Sequence, residues 1–453
     1  MPLAPGIENF SLLGGPLHRL GARCALVRGD KNTVPLGLAL GWLLWLVLVL
    51  LALAQGAKII FALSVVAVHA RLLLALPLLF VAETALDAKS REFVLLLVRS
   101  GVAGERALPE LEMAAGRLLR WKNSWLPDAT SLIAAAALSL LWVRMRMIGA
   151  NPHESSQSLA AMPLAAAWYW FVCLPLFRFL TFRWAWRLAL WWVFLWRLAK
   201  SDLAMQPDHP DRAGGLGYLE IVHTRFAILA LAISIIVSAT FAEDIASGRT
   251  SLQAVYPALF MTLLIDVVLF VAPLCLFAFK LRACQERGLW DYTTLSSLYV
   301  HAFEQKWIRR EGPQEPLLGT PDLQSLADLA NSFTVVRNMR LAPISLRLFV
   351  IIGGVALVPM APLLLFDYPL VQLAQMLLRK LAGYNFLLFL DACCFRLSAS
   401  GGYSSLKSRV WPLSAFNSVY NSLEAAVRCW IVGVSTPPCP IQASWQIVHQ
   451  LSS

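Results

Sequence analysis

The sequence predicts an all-α, polytopic transmembrane helix bundle of about seven spans, within a range of six to eight, with helical cytoplasmic loops. Three observations predict it. Of the 453 residues, 58% are apolar and only 14% are charged, whereas soluble domains are about 45–50% apolar and about 25% charged. The apolar residues are gathered in runs long enough to cross a bilayer. Basic residues flank those runs.

Seven apolar runs are the candidate spans. A helix needs about 20 mainly apolar residues to cross the hydrocarbon core of a bilayer. In chain order the runs are Pro35–Leu53, Val65–Leu86, Ser131–Ile148, Pro163–Phe182, Phe226–Phe241, Val255–Phe279 and Leu348–Phe366. The Phe226 run is short and the Ser131 run ends among arginines, so these two are the least secure of the seven.

The lysines and arginines set the predicted orientation. They gather in alternate loops, and cytoplasmic loops hold such residues because basic segments translocate poorly. We therefore predict a cytoplasmic N-terminal segment (1–34) and a transmembrane bundle over 35–381. Its inner helical loops are 87–128, 183–225 and 280–347. The outer loops between the spans carry at most one base each.

A tryptophan-rich run follows the fourth span. In RWAWRLALWWVFLWRLAK (183–200), the uncharged stretch 188–196 is too short to cross a bilayer. Tryptophan and arginine both suit the headgroup zone, so we predict a helix that runs along or out of the inner interface. If this run crosses the membrane instead, the loop that follows it lies outside.

Helix-start signals predict a helical layer in the inner loops. Thr320 as N-cap, Pro321 in the first turn and Asp322 at the positive helix end mark one start. Apolar residues then recur at three-and-four spacing and predict one apolar face: Leu323, Leu326, Leu329, Phe333 and Val336. Glu110–Trp121 and Asp291–Arg310 also have helical patterns.

The last part of the chain differs from the rest. Residues 382–453 are rich in serine and cysteine, nearly lack acids and show no sustained periodicity. Two interpretations stay open, a disordered extension and a non-native one such as an out-of-frame reading. The mixture of Trp, Cys and Phe is unlike ordinary disorder.

The stretch QPDHPDRAGGLGYLE (206–220) is the most polar and glycine-rich segment between two spans. Three interpretations stay open: a capped turn that starts the next helix, a ligand, ion or gating site, and a partner contact. In the second, glycines permit positive φ and backbone N–H groups form an anion-binding nest. The candidates are Asp208, His209, Asp211, Arg212, Gly214, Gly215 and Gly217. A divalent cation on the acids and the histidine is a variant of it, but the spacing matches no firm metal signature, so we predict no metal.

Ionisable residues inside the spans form the second candidate set: His69, Arg71, Glu83, Arg178 and Asp266. A charge at the bilayer centre costs roughly 2.5–3.5 kcal/mol on insertion scales, so such groups face the bundle interior or water. One interpretation is a proton or ion relay in which Asp266 and His69 titrate. The other is a set of buried ion pairs in which Asp266 pairs with Arg71 or Arg178.

Three blocks of the chain carry a family resemblance. HPDRAGGLGYL (209–219), VAVHARLLLALPLLFVAE (66–83) and DLANSFTVVRNMRLAPISL (328–346) resemble recurring elements of a family of uncharacterised bacterial multi-pass membrane proteins. The resemblance covers roughly residues 10–381 and leaves out the tail. It implies a bacterial inner-membrane location and transfers no catalytic residue.

The buried charges and the polar loop favour a transporter- or channel-like protein for a small ion or solute. In it Asp266, His69 and Arg71 line the path, and residues 209–217 bind or gate. The alternative is a membrane scaffold or sensor subunit that recruits a cytoplasmic partner or forms a homo-oligomer. A membrane-embedded lipid-modifying enzyme is the third hypothesis.

The sequence disfavours two functional classes, enzymes and nucleic-acid-binding proteins. The chain has no P-loop, G-x-S-x-G or H-E-x-x-H motif, so enzyme activity is the weaker class and we expect no cofactor. The lipid bilayer is the expected partner. Nucleic acid is not, because the bases flank apolar runs instead of forming a basic face on a soluble domain.

Overall fold

The computed structural model describes residues 10–11, 32–56, 58–147, 163–309 and 320–366. This part of the chain is helical with connecting turns and contains no β-strand, which confirms the predicted all-α class. Its long helices are α1 (Val34–Ala54), α2 (Val66–Arg99), α3 (Leu108–Asn123), α4 (Leu126–Met147), α5 (Pro163–Lys200), α6 (Tyr218–Ala246), α7 (Leu252–Ile308), α8 (Pro321–Arg337) and α9 (Leu346–Phe366).

Among the described residues, six helices are long and apolar enough to cross a membrane: α1, α2, α5, α6, α7 and α9. The pair α3 and α4, bent by 46° at their junction, makes a seventh if it counts as one span. The chain path calls for that crossing. α2 and α5 run parallel, because Arg71 contacts Tyr169 near both helix starts and Glu83 contacts Arg187 further along. The chain must therefore return between them, and α4, 22 residues or about 33 Å long, is the segment that does so.

Two glycines allow the close approach of α1 and α2. A methyl group added at Gly41 would lie 2.5 Å from the Leu72 carbonyl oxygen, and one added at Gly37 would lie 2.6 Å from Phe80 Cβ. Small residues four positions apart let membrane helices approach closely. This spacing therefore specifies how the first two spans pack.

The tryptophan-rich run continues the fourth predicted span as one helix. α5 has 38 residues, or about 57 Å, against a hydrocarbon core of about 30 Å. The helix is therefore longer than one membrane crossing, and the course of residues 183–200 along or out of the interface stays a prediction. Indole N–H groups of α5 donate to backbone carbonyls of three other helices: Trp168 to Leu44 (3.2 Å), Trp184 to Leu79 (3.2 Å) and Trp192 to Leu269 (3.3 Å).

The longest element is α7, with 57 residues. A 3-10 segment at Ala272–Phe277 interrupts it. Beyond the interruption, residues 278–308 leave the bundle and pack against α8; we call residues 278–308 and α8 together the arm. The helices predicted from Asp291 and from Pro321 both lie in the arm. Along the predicted apolar face of α8, Val336 is buried and Leu323 is 59% exposed. The residues between them on that face, Leu326, Leu329 and Phe333, are half-buried.

Several span helices continue past the predicted span ends. α2 ends at Arg99, α5 at Lys200 and α7 at Ile308, so much of the predicted inner loops is continued span helix. Hydropathy marks where lipid ends, whereas a helix ends where its backbone bonding stops. Residues from 367 onward, including the tail 382–453, and most of the N-terminal segment 1–34 lie outside the described residues. Of that segment, Phe10 is buried and Ser11 donates to Asp87 Oδ1 (2.7 Å).

Candidate functional site

The loop of residues 201–217, between α5 and α6, lies where several parts of the chain meet. Its neighbours are the α2–α3 connection, α7 and the α8–α9 connection. Three hydrogen bonds join it to them: Ala204 N–H to the Val102 carbonyl (2.8 Å), Tyr292 Oη to Asp208 Oδ2 (2.8 Å) and Arg340 N–H to the Arg212 carbonyl (2.7 Å). The loop is thus part of the packing at the base of the arm.

Asp211 organises the glycine-rich half of this loop. Its Oδ1 accepts from the backbone N–H groups of Ala213 (2.8 Å) and Gly215 (3.2 Å), and its Oδ2 accepts from Gly217 (2.7 Å). His209 Nδ1 lies 2.8 Å from Oδ1. Burial alone would raise the pKa of the Asp211 carboxyl, but these donors outweigh it and hold the pKa below its ordinary value.

The backbone around Asp211 requires the glycines. Gly214 and Gly215 have φ of 63° and 91°, and Arg212 has φ of 55°. That left-handed conformation costs a non-glycine residue roughly 1–2 kcal/mol. A Cβ at Gly217 would lie 2.8 Å from Asp211 Cβ, so only glycine lets the carboxylate reach that N–H group.

These contacts bear on the three interpretations of the loop. The N–H groups that would form an anion nest already bind the carboxylate of Asp211. Asp208 accepts a hydrogen bond from Tyr292, and nowhere in the described part of the chain do three or more His, Cys, Asp or Glu side chains group to hold a metal ion. The geometry favours the capped turn. Arg212 is exposed, so its guanidinium is available for a partner contact.

Two side chains hold the base of the arm. Gln285 of α7 donates at 3.1–3.4 Å to three carbonyls at the end of α8, those of Val336, Arg337 and Met339. Glu220 of α6 accepts from Arg340 Nη1 (3.1 Å) and from the Ser345 hydroxyl, just before α9. The Gln285 contacts satisfy carbonyls at a helix end, which lack helical partners, and the Glu220 contacts tie α6 to the α8–α9 connection.

A buried ion cluster joins α2, α4 and α5. Glu83 Oε1 lies 2.6 Å from Arg187 Nη2 and 3.9 Å from Arg183 Nη2, and Arg183 Nε lies 3.7 Å from Asp128 Oδ1. Glu83 and both arginines are buried. Glu83 is therefore one side of a buried ion pair, the second of the two interpretations for charges within the spans.

Sequence reasoning missed the two arginines of this cluster, since it counted them only as inner-loop bases. A signal was present in the spacing. Glu83 and Asp87 are four residues apart on α2, and Arg183 and Arg187 are four residues apart on α5. Residues at that spacing share a helix face, so each helix presents two like charges to the opposite pair.

His69 lies among partners near the start of α2. Its Nδ1 accepts from Trp45 Nε1–H (2.8 Å), and its Nε2–H donates to the Ile60 carbonyl (2.7 Å). Phe61 stacks on the ring, with an interplanar angle of 3°. The two hydrogen bonds match a neutral imidazole that holds the α1–α2 connection against α1.

The span arginines Arg71 and Arg178 bind neutral groups. Arg71 donates to the Tyr169 hydroxyl and lies 6.0 Å from the centre of the Phe177 ring, a cation–π contact. Arg178 Nη1 donates to Ser139 Oγ (3.0 Å). The predicted pairing of either arginine with Asp266 is not found, because the carboxylate oxygens of Asp266 have no hydrogen-bond partner among the described residues.

Asp266 differs from the other span candidates. It is 1% exposed, and among the described residues neither carboxylate oxygen has a hydrogen-bond partner. Sequence reasoning identified the residue from its charge and depth. Its isolation is a result of the tertiary structure.

Side chains of α5 and α6 form hydrogen bonds with α7 just before its 3-10 segment. The proline of the 3-10 segment lacks an N–H, so carbonyls one turn earlier lose their helical partners. The Leu269 carbonyl accepts from Trp192 Nε1–H (3.3 Å) and the Phe270 carbonyl from His223 Nδ1–H (2.6 Å), while Trp191 Nε1–H donates to His223 Nε2 (3.2 Å). The sequence contains no local signal for this role of His223.

Two open grooves are prominent in the described structure. One, of about 580 Å³, lies between α4 and α5. The other, of about 590 Å³, runs along the arm and is lined by Glu286, Leu289, Trp290, Thr293, Thr294, Ser297 and Leu298. Neither groove is lined by Asp266 or by the 201–217 loop, so the two predicted sites are not joined by these surfaces.

No protein-family model, curated protein or solved structure matches the chain. The family resemblance of the three sequence blocks therefore stays a prediction. Function is inferred below from the geometry.

Proposed function

We propose that the protein is a membrane scaffold or sensor subunit that recruits a cytoplasmic protein through the arm. The observation that carries this proposal is the length and exposure of α7 beyond the bundle. Residues 278–308 extend about 45 Å, and α8 covers only one side of them. On the uncovered side, Trp290 is 77% and Leu298 is 66% exposed.

The uncovered side fits an amphipathic helix of a partner protein. The residues of the arm groove follow the three-and-four spacing of one helix face, from Glu286 to Leu298. That length is about 18 Å, or three turns of a docked helix. Helix-in-groove recognition uses apolar anchors at this spacing, and tryptophan is enriched among residues that dominate binding energy. Residues 278–308 carry four bases and three acids, a balance that suits protein better than nucleic acid.

The arm is held at its far end as well as at its base. Asp322, at the start of α8, accepts from Lys306 Nζ (2.9 Å) and Trp307 Nε1–H (3.1 Å). The hydrogen bond from Lys306, followed by that from Trp307, lowers the pKa of the Asp322 carboxyl. Because both ends of the arm are held by these contacts, its exposed face loses little conformational entropy when a partner binds.

The side of the membrane on which the arm lies is part of the same proposal. Bases cluster where α2 and α5 end beside the base of the arm, for example Arg99, Arg197 and Lys200. The positive-inside rule then puts the arm in the cytoplasm. The resemblance of the three sequence blocks supports a bacterial inner membrane.

The test is photo-crosslinking in intact cells, with a photoreactive amino acid in place of Thr294 in the groove. We expect one protein adduct, identified by mass spectrometry, that is lost in a Trp290→Ala background. Trp125→Ala is the matched control, because Trp125 is 68% exposed but lies off the arm at the start of α4. Purified partner should bind the Trp290→Ala protein about 30-fold more weakly, which corresponds to about 2 kcal/mol.

Two outcomes would contradict recruitment of a cytoplasmic partner. One is a crosslinking yield that is as high in the Trp290→Ala background as in the Trp125→Ala background. The other is an adduct only with a second copy of this chain, which would make the groove a homo-oligomer contact.

The transporter- or channel-like hypothesis is the second candidate, and the buried, unpartnered carboxyl of Asp266 favours it. Purified protein in liposomes should then pass protons or small cations, and Asp266→Asn should abolish the flux. Flux that is unchanged in Asp266→Asn would count against a path through this residue. A lipid-modifying enzyme would need His209 and Asp211 in a polar cavity open to the bilayer. It finds less support, because the carboxylate of Asp211 is bound within its own turn.

A further inference from the structure

Asp266 lies in the middle of the apolar part of α7. It follows the helix start at Leu252 by 14 residues and precedes the end of the 3-10 segment at Phe277 by 11 residues. Its side chain is buried, and within the described part of the chain both oxygens lack a hydrogen-bond partner. In a membrane span this is the least favourable place for an ionised carboxylate.

The other buried acids of the described spans have partners. Glu83 has the guanidinium of Arg187 and Asp87 the hydroxyl of Ser11. The two near the outer end of α6 are also satisfied: Glu243 accepts from the Ala67 N–H (2.7 Å), and Asp244 lies 3.5 Å from Arg249 Nη1. The isolation of Asp266 is thus a property of its site and not of span acids in this protein generally.

The helices packed against this part of α7 are α6 and α9, and their titratable groups are engaged or exposed. On α6, Glu220 binds Arg340 and Ser345, His223 binds Trp191 and the Phe270 carbonyl, and Glu243 and Asp244 have the partners given above. Arg225 of α6 and Arg347 of α9 are exposed. On α7 itself, Lys280 donates to the Ser201 carbonyl, beyond the 3-10 segment. Among the described residues, no cation pairs with Asp266 and no hydrogen-bond donor reaches either carboxylate oxygen.

We propose that Asp266 is a proton-binding site of the membrane part of the protein, and that it carries its proton in the structure described here. Burying an unpaired charge costs far more than burying a neutral acid, so an isolated carboxyl takes up a proton when water is excluded. Ionisation requires water or a cation to enter between α6, α7 and α9. The ligand of the site is the proton, and the group that holds it is the carboxyl of Asp266.

The 3-10 segment of α7 begins at Ala272, six residues after Asp266. There the α-helical bonding pattern changes, and side chains of α5 and α6 bind the Leu269 and Phe270 carbonyls. Release of the proton would draw water towards this segment. This proposal rests on the transporter- or channel-like hypothesis and adds to it that the proton is the species bound at Asp266. It does not depend on any property of the arm.

The test is infrared spectroscopy of the full-length protein in lipid nanodiscs, as wild type and as Asp266→Asn. We expect a protonated-carboxyl C=O band at neutral pH in the wild type that shifts in D₂O and is absent from Asp266→Asn. The band should disappear only at alkaline pH. Asp208→Asn is the control, because Asp208 is exposed and its removal should leave the band unchanged.

Wild-type and Asp266→Asn spectra that match in this region at neutral pH would overturn the proposal, since the carboxyl would then be ionised. Because asparagine is close in shape to a protonated aspartate, the variant should fold; Asp266→Leu provides the same comparison if it does not. A band that is present while liposomes show no flux would keep the proton site and remove the transport candidate.

Discussion

Replacing Asp211 by asparagine tests whether the 201–217 loop is a structural turn built on one carboxylate. The change preserves the size of the side chain and removes its charge. Asparagine also has one acceptor oxygen in place of two. Either the Gly217 N–H or the N–H groups of Ala213 and Gly215 must then face an amide NH₂ group, which cannot accept a hydrogen bond.

The expected cost follows from these contacts. A buried donor without an acceptor costs about 1–3 kcal/mol, and the remaining hydrogen bonds weaken by about half when the acceptor loses its charge. The loop is partly buried, so we expect Asp211→Asn to lower the free energy of unfolding by about 2–4 kcal/mol. Asp208→Asn should cost less than about 1 kcal/mol, because the hydroxyl of Tyr292 can still donate to the amide oxygen.

The pH dependence of this difference has a definite sign. The pKa of Asp211 is lower in the folded protein than its ordinary value. Its contribution is therefore complete above the unfolded pKa, about 3.9, and is lost as pH falls through the folded pKa. We expect the gap between wild type and Asp211→Asn to be constant from neutral pH down to about pH 5 and to shrink at lower pH.

The assay is denaturant unfolding in detergent micelles, with limited proteolysis of the loop under native conditions. Asp211→Asn should unfold at lower denaturant and be cleaved faster within residues 201–217. A loss of stability below about 0.5 kcal/mol, or a gap that grows towards acid pH, would refute the inference that the carboxylate holds this turn.

Three further predictions concern packing and the arm. Glu83→Leu should cost about 3–5 kcal/mol because it leaves Arg187 buried without its acid, and adding Arg187→Leu should recover part of the loss in the same unfolding assay; equal stability of the single variant and wild type would contradict this. Gly41→Ala should cost about 1–3 kcal/mol through its clash with the facing carbonyl oxygen, whereas Gly353→Ala, with open space around it, should be nearly neutral. Gln285→Ala should speed hydrogen exchange at the end of α8, and unchanged exchange there would exclude its capping role.

Local chemistry made several features predictable. The apolar runs predict about seven membrane helices, within a range of six to eight, because a helix satisfies its own backbone in lipid. The Thr320–Asp322 signal predicts the start of α8, since capping involves neighbours in sequence. The turn around Asp211 was one of three interpretations of its loop for the same reason: its donors and acceptor lie within six residues of each other.

Other features depend on residues far apart in the chain. Arg183 and Arg187 look like ordinary inner-loop bases until α5 packs beside α2, and their partner Glu83 is about 100 positions away. Sequence spacing contains a weak signal for this pairing, but the facing of two helices is a result of packing. The length of the arm was missed because hydropathy falls where lipid ends, while the helix continues.

The sequence by itself determined that the apolar runs form helices of membrane length, and it predicts the sidedness of the charge. Both follow from local composition, because each apolar run interacts with lipid independently and each basic end resists translocation. Only the tertiary structure decided which buried charges are paired. Pairing depends on which helix faces meet, so two buried acids of the spans differ: Glu83 is an ion-pair partner, and the carboxyl of Asp266 has no hydrogen-bond partner among the described residues.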